Sequence, residues 1–271
     1  MPASRSVPKE MLPVFDRPMI HKTVEEAANA GIEHLVIVIS KGKEAIASYF
    51  DIQPDLEQSL QEKGKLALLE EMRRISKMME ISYIYQKEQL GLGHAVLTTK
   101  NIVGQEPFAV ILPDELFWDE KPTIARLVEA FQRCVGSVVG VKEVPQEAVT
   151  SFGIIKPKKI EDSLYQVLGL VEKPKVKDAP SNLAITGPYI LTPEVFDCLG
   201  SVRPGAIGEI QLTDGIALLL QSQKVYAYEI PGVRFDAGNP LGLLKASIYE
   251  ALHREDAAKE LKRWLKESGL T

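Results

Sequence analysis

The chain has 271 residues, 45% of them hydrophobic and 25% charged, which suits one large α/β domain or two smaller ones. Its 32 Lys and Arg against 37 Asp and Glu give a net charge of −5, which argues against bulk electrostatic binding to nucleic acid. No apolar run approaches the ~20 residues of a membrane span, no signal peptide begins the chain, and the two cysteines lack paired spacing. These features predict a cytoplasmic protein with no membrane or nucleic-acid partner.

The first half of the chain alternates predicted strands and helices. Asp16 as N-cap and Gly31 as the C-terminal stop predict a helix between them. The stretches "HLVIVIS" and "FAVILPD" are nearly unbroken apolar runs, typical of central parallel strands that are covered on both faces. With "ISYIYQ" between them, the alternation requires crossover connections and predicts a doubly wound parallel layer.

The second half adds a different kind of structure. Residues 55–80 are charged, helical in period and longer than an ordinary crossover, so they predict an inserted helical segment. Residues 136–144, 152–160 and 164–172 are rich in strand-forming residues with short connections and predict antiparallel strands beside the parallel core. Helices are predicted again over 240–271. Because no linker or internal repeat is visible, one mixed α/β domain is predicted over 1–271.

Ligands bind at the carboxyl ends of the strands in open α/β sheets, so the residues after each strand are candidates. Gln86 ends one predicted strand, and Gly91 and Gly93 follow it in "KEQLGLGHA". Glycines let the backbone approach a ligand closely, and the Gln86 amide can both donate and accept hydrogen bonds. Taken alone, however, a Gly-x-Gly turn between a strand and a helix is more often only a turn.

Two aspartates also stand at strand ends. Asp114 follows "VILP" and Asp236 follows "VRF", and each could be a simple turn or cap residue. A pair of carboxylates at two strand ends suits Mg²⁺, which takes one or two carboxylates together with substrate phosphates.

Glu172 and Lys173 end the stretch "LGLVEKP", either as a solvated turn or as ligands of a hydroxyl and a phosphate. If the segment is extended, the two side chains point to opposite faces and need not neutralise each other. Gly153, in "FGIIKP", marks a bulge or a close approach to a ligand. The four histidines are dispersed and suggest no catalytic triad, so no general base is assigned.

These motifs, in this order, resemble the sugar nucleotidyltransferases, and among them most of all the bacterial enzymes that act on UTP and glucose 1-phosphate. The matching stretches span nearly the whole chain and are specific as a combination: "SVPKEMLPVFDRPMI", "EEAANAGIEHLVIV", "YQKEQLGLGHAV", "FAVILPDE", "FGIIKP", "LVEKP", "SNLAITGPYILTPEVF", "GEIQLTDGIALL" and "FDAGNPLGLLKA". The resemblance implies a Rossmann-like, doubly wound mixed sheet with an added antiparallel portion. It also implies Mg²⁺-dependent transfer of UMP to glucose 1-phosphate, giving UDP-glucose and pyrophosphate.

The resemblance implies a role for each matched position. Lys9 would contact the triphosphate, and Gln86 with the Gly91 backbone would read the uracil edge. Asp114 and Asp236 would hold Mg²⁺. Gly153, Glu172 and Lys173 would hold glucose 1-phosphate, with Lys173 on its phosphate, and Glu209 would help to orient the sugar.

Family members carry a first strand and a glycine-rich loop with a Thr-Arg pair just before the segment that matches Pro2, Ala3 and Ser4. We therefore expect that this strand and most of the loop are absent from the present sequence. The alternatives are a thymidylyl or other nucleotidyl transferase on the same fold, a non-catalytic binder of sugar nucleotides, and a fragment that folds poorly. A homo-oligomer, dimer or tetramer, is also expected, with 55–80 and the charged C-terminal helix as candidate interfaces or as ordinary solvated faces.

Overall fold

The structure is a computed structural model, and it describes residues 2–205 and 208–269, with side chains from residue 4 onward. The strands in these ranges are β1 (Pro13–Val14), β2 (Arg17–Pro18), β3 (His34–Ile39), β4 (Glu80–Tyr85), β5 (Phe108–Val110), β6 (Glu115–Trp118), β7 (Ser137–Glu143), β8 (Gly153–Glu161), β9 (Leu164–Glu172), β10 (Leu183–Leu191), β11 (Val225–Glu229) and β12 (Val233–Asp236). The helices are α1 (Met19–Asn29), α2 (Glu44–Phe50), α3 (Pro54–Glu62), α4 (Leu66–Ser76), α5 (Leu92–Thr98), α6 (Lys100–Val103), α7 (Thr123–Arg133), α8 (Val195–Ser201), α9 (Leu212–Leu219), α10 (Pro240–His253) and α11 (Glu255–Glu267).

A central mixed sheet organises the fold, and its strands lie in the order β5, β10, β7, β11, β9 and β8. β7 and β11 are parallel, whereas the other ladders of this sheet are antiparallel. β3 and β4 form a separate parallel pair, and β6 pairs with β12 in an antiparallel ladder. The predicted mixed α/β fold with an added antiparallel portion is therefore confirmed.

Both faces of the central sheet are covered, as the alternation along β7 shows. Val139 and Val141 are fully buried in the cluster that includes the apolar faces of α5, α8 and α9. Val138, between them in sequence, is buried on the opposite side against Ile124 and Leu127 of α7. Adjacent residues of a strand point to opposite faces, so a strand covered on both sides has to be apolar at every position. A further cluster packs β3 against α1 and α2.

Two local predictions were wrong. The run "FAVILPD" is not a central parallel strand: among the described residues, β5 lies at the edge of the mixed sheet and pairs only with β10, in an antiparallel ladder. An apolar run indicates burial on both faces, but it does not identify the neighbouring strand.

Asp16 is not the N-cap of α1, because Arg17 and Pro18 pair with β1 and the helix begins only at Met19. The side chain of Asp16 instead accepts a hydrogen bond from Arg254 at 2.6 Å.

The predicted inserted segment 55–80 contains α3 and α4, and the segment 240–271 contains α10 and α11, with residues 270 and 271 outside the described residues. Whether the chain is one domain stays a prediction. Within the described ranges, no helix has both the length and the apolar character needed to cross a membrane.

Candidate active site

Asp114 and Asp236 come together at the β6–β12 ladder. The ladder places Asp236 opposite Glu115, and the backbone N–H of Ala237 donates to the Asp114 carbonyl at 2.8 Å. Asp236 Oδ1 and Asp114 Oδ2 lie 2.9 and 3.0 Å from the point that a Cβ atom on Gly238 would occupy. The two carboxylate oxygens therefore lie near each other beside Gly238, whose N–H donates to Asp236 Oδ1 at 2.9 Å, and only a glycine avoids a clash with them.

Lys9 is the cation at this pair of aspartates. It follows Pro8 in a 3₁₀ turn, and its Nζ donates to Asp114 Oδ2 at 2.7 Å. Burial by itself would lower the pKa of Lys9, but the ion pair with Asp114 outweighs burial and raises the pKa above its ordinary value. The ammonium group therefore remains charged and partly neutralises the aspartates.

Glu115 and Arg234 support the aspartates from the neighbouring positions of the same ladder. Arg234 donates to the two carboxylate oxygens of Glu115 at 2.5 and 2.7 Å, a bidentate geometry. Burial raises the pKa of Glu115 against the lowering effect of Arg234, and the charges of Asp236 and Asp114 add to the increase. The carboxylates at this ladder therefore act on one another, and a further cation would relieve their repulsion.

A cavity of about 410 Å³ opens beside Lys9. It lies at the carboxyl ends of the parallel strands β3 and β4, the position where open α/β sheets bind ligands. Its lining residues are Lys9, Glu10, Val38, Ile39, Ser40, Lys43, Gln86, Gln89, Gly91, Leu92, Ala95 and Glu209. The predicted residues Gln86, Gly91 and Glu209 therefore line one cavity together with Lys9.

Gly91 forms the turn between β4 and α5 at close quarters with another segment. Its φ of +92° lies in the region that favours glycine, and an added Cβ would lie 2.9 Å from Glu209 Cβ. The N–H of Gly93 also donates to the Ile210 carbonyl at 2.9 Å, which fixes this turn against residues 209–211. Glu209, predicted to orient the sugar, thus lies against the glycine turn that carries Gly91.

Glu172, Gly153 and Thr213 form a second group of polar residues. Thr213 Oγ1 donates to Glu172 Oε2 at 2.7 Å. A Cβ on Gly153 would lie 2.7 Å from the Thr213 methyl group and 3.1 Å from Glu172 Oε2, so only a glycine lets the three residues pack this closely. The Arg234 guanidinium lies over the ring of Phe152, 5.1 Å from its centre, while it also donates to Glu115, the residue that follows Asp114.

The predicted opposite orientation of Glu172 and Lys173 was wrong. Lys173 has a φ of +44°, and its Nζ lies 3.6 Å from Glu172 Oε1. Side chains alternate between faces only while the backbone stays extended, and the left-handed conformation at Lys173 breaks that alternation. A non-glycine residue in this conformation is strained, as is often found at functional sites.

Sequence reasoning did not identify Thr213, His94 or Arg234 as site residues. Arg234 had a usable signal, since it lies two positions before Asp236 on one strand and therefore on the same face. The contacts of Thr213 and His94 depend on how α9 and α5 pack, and the sequence carries no local signal for them.

In the part of the chain that the structure describes, no three His, Cys, Asp or Glu side chains form a cluster suited to a metal. A metal at this site would therefore take two carboxylates from the protein and its other ligands from substrate or water. Mg²⁺ is commonly bound in this way.

Residues 1–251 match the family model described as nucleotidyl transferase, and the chain belongs to that family. It is 46% identical to the UTP–glucose-1-phosphate uridylyltransferase of Staphylococcus epidermidis over 98% of this chain and 93% of the relative.

Solved structures give the same result. A UTP-bound UGPase from Acinetobacter baumannii is 38% identical, with a TM-score of 0.92, covering 98% of this chain and 94% of that one. A UDP-glucose pyrophosphorylase complexed with UDP-glucose is 37% identical, with a TM-score of 0.84 and 94% of each chain covered. The resemblance to sugar nucleotidyltransferases seen in the motifs is thus confirmed.

Proposed function

We propose that the protein transfers UMP from UTP to glucose 1-phosphate, giving UDP-glucose and pyrophosphate, with Mg²⁺ held by Asp114 and Asp236. The observation that carries this proposal is the convergence of the two aspartates and Lys9 beside the cavity that Gln86 and Gly91 line. The names of the similar proteins support the choice of UTP and glucose 1-phosphate.

The aspartate pair fits a magnesium ion. Its two oxygens are hard ligands that lie near each other beside Gly238, and an ammonium group already lies against one of them. When bound, Mg²⁺ would supply positive charge between two phosphate-bearing substrates that repel each other. Lys9 would then be free to move from Asp114 to the triphosphate, which is the contact that the family resemblance implies for it.

The reaction needs no general base. The second pKa of a phosphate monoester is near 6, so the attacking phosphate oxygen of glucose 1-phosphate is already anionic at neutral pH. The residues of the chain therefore have to position the two substrates and neutralise their charge. This requirement agrees with a site built from lysines, carboxylates and glycines.

On the acceptor side, Glu172 and Lys173 are the proposed ligands of glucose 1-phosphate. The hydrogen bond from Thr213 holds the Glu172 carboxylate in one orientation, and Glu172 Oε1 lies on the side of Lys173. We propose that Glu172 accepts hydrogen bonds from sugar hydroxyls while the Lys173 ammonium binds the phosphate. Gly153 adjoins this carboxylate, and its lack of a Cβ lets the backbone lie close to Glu172 and Thr213.

Release of pyrophosphate from UTP and glucose 1-phosphate tests the proposal directly. The wild type should be active with Mg²⁺ and inactive in excess EDTA. Asp114→Asn and Lys173→Ala should each lower kcat/KM by at least about tenfold, because each removes a charge that acts on the phosphates. Asp178→Asn and Lys158→Ala make the same two substitutions at exposed positions. They serve as matched controls and should retain wild-type rates.

Unchanged kcat/KM in Asp114→Asn or Lys173→Ala would remove the corresponding residue from the proposed site. Binding of UDP-glucose by a wild-type protein that forms no product would instead support a non-catalytic sugar-nucleotide binder. Replacement of UTP by dTTP in the same assay distinguishes uridylyl from thymidylyl transfer.

A further inference from the structure

We propose that His94, together with the Gly91 carbonyl, fixes the orientation of the Gln86 side-chain amide and thereby makes the cavity more selective for uracil over cytosine. The inference rests on the proposed nucleotide site and adds to it a positioning residue that determines base specificity. It starts from the hydrogen bonds of Gln86, whose side chain lines the cavity.

The contacts of Gln86 determine which end of its amide faces which neighbour. Gln86 Nε2 lies 3.2 Å from the Gly91 carbonyl oxygen and 3.0 Å from His94 Nδ1. A carbonyl oxygen can only accept, so the NH₂ group and not the oxygen of the amide must face Gly91. The second amide hydrogen then points to His94 Nδ1, which accepts it, and the neutral imidazole carries its proton on Nε2.

This arrangement uses both hydrogens of the amide and leaves its oxygen for a ligand. In the described part of the chain, no protein donor contacts Gln86 Oε1. This oxygen is also not one of the buried polar atoms that lack a partner, so it is not sealed inside the protein. Gln86 therefore offers the cavity an acceptor. Without an acceptor at His94, only the 3.2 Å hydrogen bond to the Gly91 carbonyl would hold the NH₂ group, and the amide oxygen would be less firmly oriented.

Uracil and cytosine differ at ring position 3, because uracil carries an N–H donor there and cytosine an unprotonated nitrogen. An accepting oxygen facing position 3 bonds uracil but meets the lone pair of cytosine. A site built to hydrogen-bond one group rejects an analogue that lacks it, because the polar group of the site is left unpaired. His94 acts on this choice through Gln86 and without touching the base.

Two variants of nearly equal size test the role of His94. Asn places Oδ1 at the same distance along the side chain as His Nδ1 and keeps an acceptor, whereas Leu fills similar space without one. We expect His94→Leu to lower the ratio of UTP to CTP affinity by about fivefold, the value of one hydrogen bond that orients Gln86. His94→Asn should stay within about twofold of the wild-type ratio on the same basis.

The measurement is calorimetric titration of the wild type and both variants with UTP and with CTP in the presence of Mg²⁺. Thermal melts of each variant show that the fold is retained. A wild-type ratio in His94→Leu, or an equal loss of selectivity in His94→Asn and His94→Leu, would overturn the inference, as would equal binding of UTP and CTP by the wild type. Since the ratio comes from binding, a failure of pyrophosphate release in a separate assay counts against the proposed function alone.

Discussion

His21 illustrates how burial alone changes the chemistry of a single residue. It is fully buried in α1, with Tyr49 Oη 3.0 Å from its Nδ1 and Arg17 Nη1 3.4 Å from its Nε2. Arg17 can only donate, so Nε2 accepts and the ring is neutral. Burial lowers the pKa of His21 to about 4, with the positive charges of Arg17 and Arg74 adding to the effect of burial and Glu25 opposing it.

This lowered pKa predicts a dependence of stability on pH. Between an unfolded pKa of about 6.5 and the folded value, the unfolded chain binds the proton and the folded chain does not, so acid favours unfolding. The contribution to the free energy of unfolding is present above about pH 6.5, and about 2 kcal/mol of it is lost by about pH 5. Urea unfolding at both pH values measures the loss.

His21→Gln should remove this part of the pH dependence, since glutamine does not titrate. His34→Gln, at an exposed histidine, is the matched control and should leave the pH dependence as in the wild type. An identical pH slope in wild type and His21→Gln would show that His21 is not the group responsible.

At the scale of the element, α10 is joined to the site through its first residues. Asn239 is its N-cap, and Oδ1 accepts from the Gly242 N–H at 2.8 Å, while Nδ2 donates to the Asp236 carbonyl at 3.0 Å. One side chain thus satisfies a free backbone N–H at the start of α10 and ties the helix to the strand that carries a proposed metal ligand.

Asn239→Ala should lower the free energy of unfolding by about 1 kcal/mol, the usual cost of losing an N-cap acceptor. Asn239→Ser keeps a short acceptor and should recover most of that loss. Denaturant titration of the three proteins measures the difference, and equal stability of wild type and Asn239→Ala would mean that the cap hydrogen bond contributes nothing measurable.

At the scale of the whole molecule, the cavity joins segments that belong to different layers. Ile39 and Ser40 come from the β3 side, and Glu209 comes from the segment that leads into α9, next to the central sheet. A nucleotide bound in this cavity would contact both sides. Such binding would therefore stabilise the packing of these segments against each other as well as the site itself.

We expect UTP with Mg²⁺ at about 100 times its Kd to stabilise the folded protein by about 2.7 kcal/mol. For a chain of this size, that free energy corresponds to an increase in Tm of roughly 5–10 °C. Differential scanning fluorimetry measures the shift, and ATP at the same concentration is the control because a purine does not fit the proposed reading of uracil. Equal shifts with UTP and ATP would contradict a uracil-selective cavity.

The positions of site residues could be predicted only where a short local stretch of sequence determines them. The strand-end positions of Gln86 and Asp236 followed from short apolar runs that end in polar residues. The left-handed backbone at Lys173 was missed, because the "EKP" stretch is equally compatible with an extended strand end. Glu172 and Lys173 were therefore placed on opposite faces although they form an ion pair.

The sequence by itself determined the α/β class and the family, because apolar periodicity and turn residues act over a few neighbouring residues and each matching motif is a short local stretch. Only the tertiary structure decided that β5 pairs with β10 and that Lys9 contacts Asp114 105 residues away. Such contacts depend on which surfaces come together when the apolar faces of distant segments are buried. A local sequence pattern reports that a face will be buried, but it does not report the partner that will bury it.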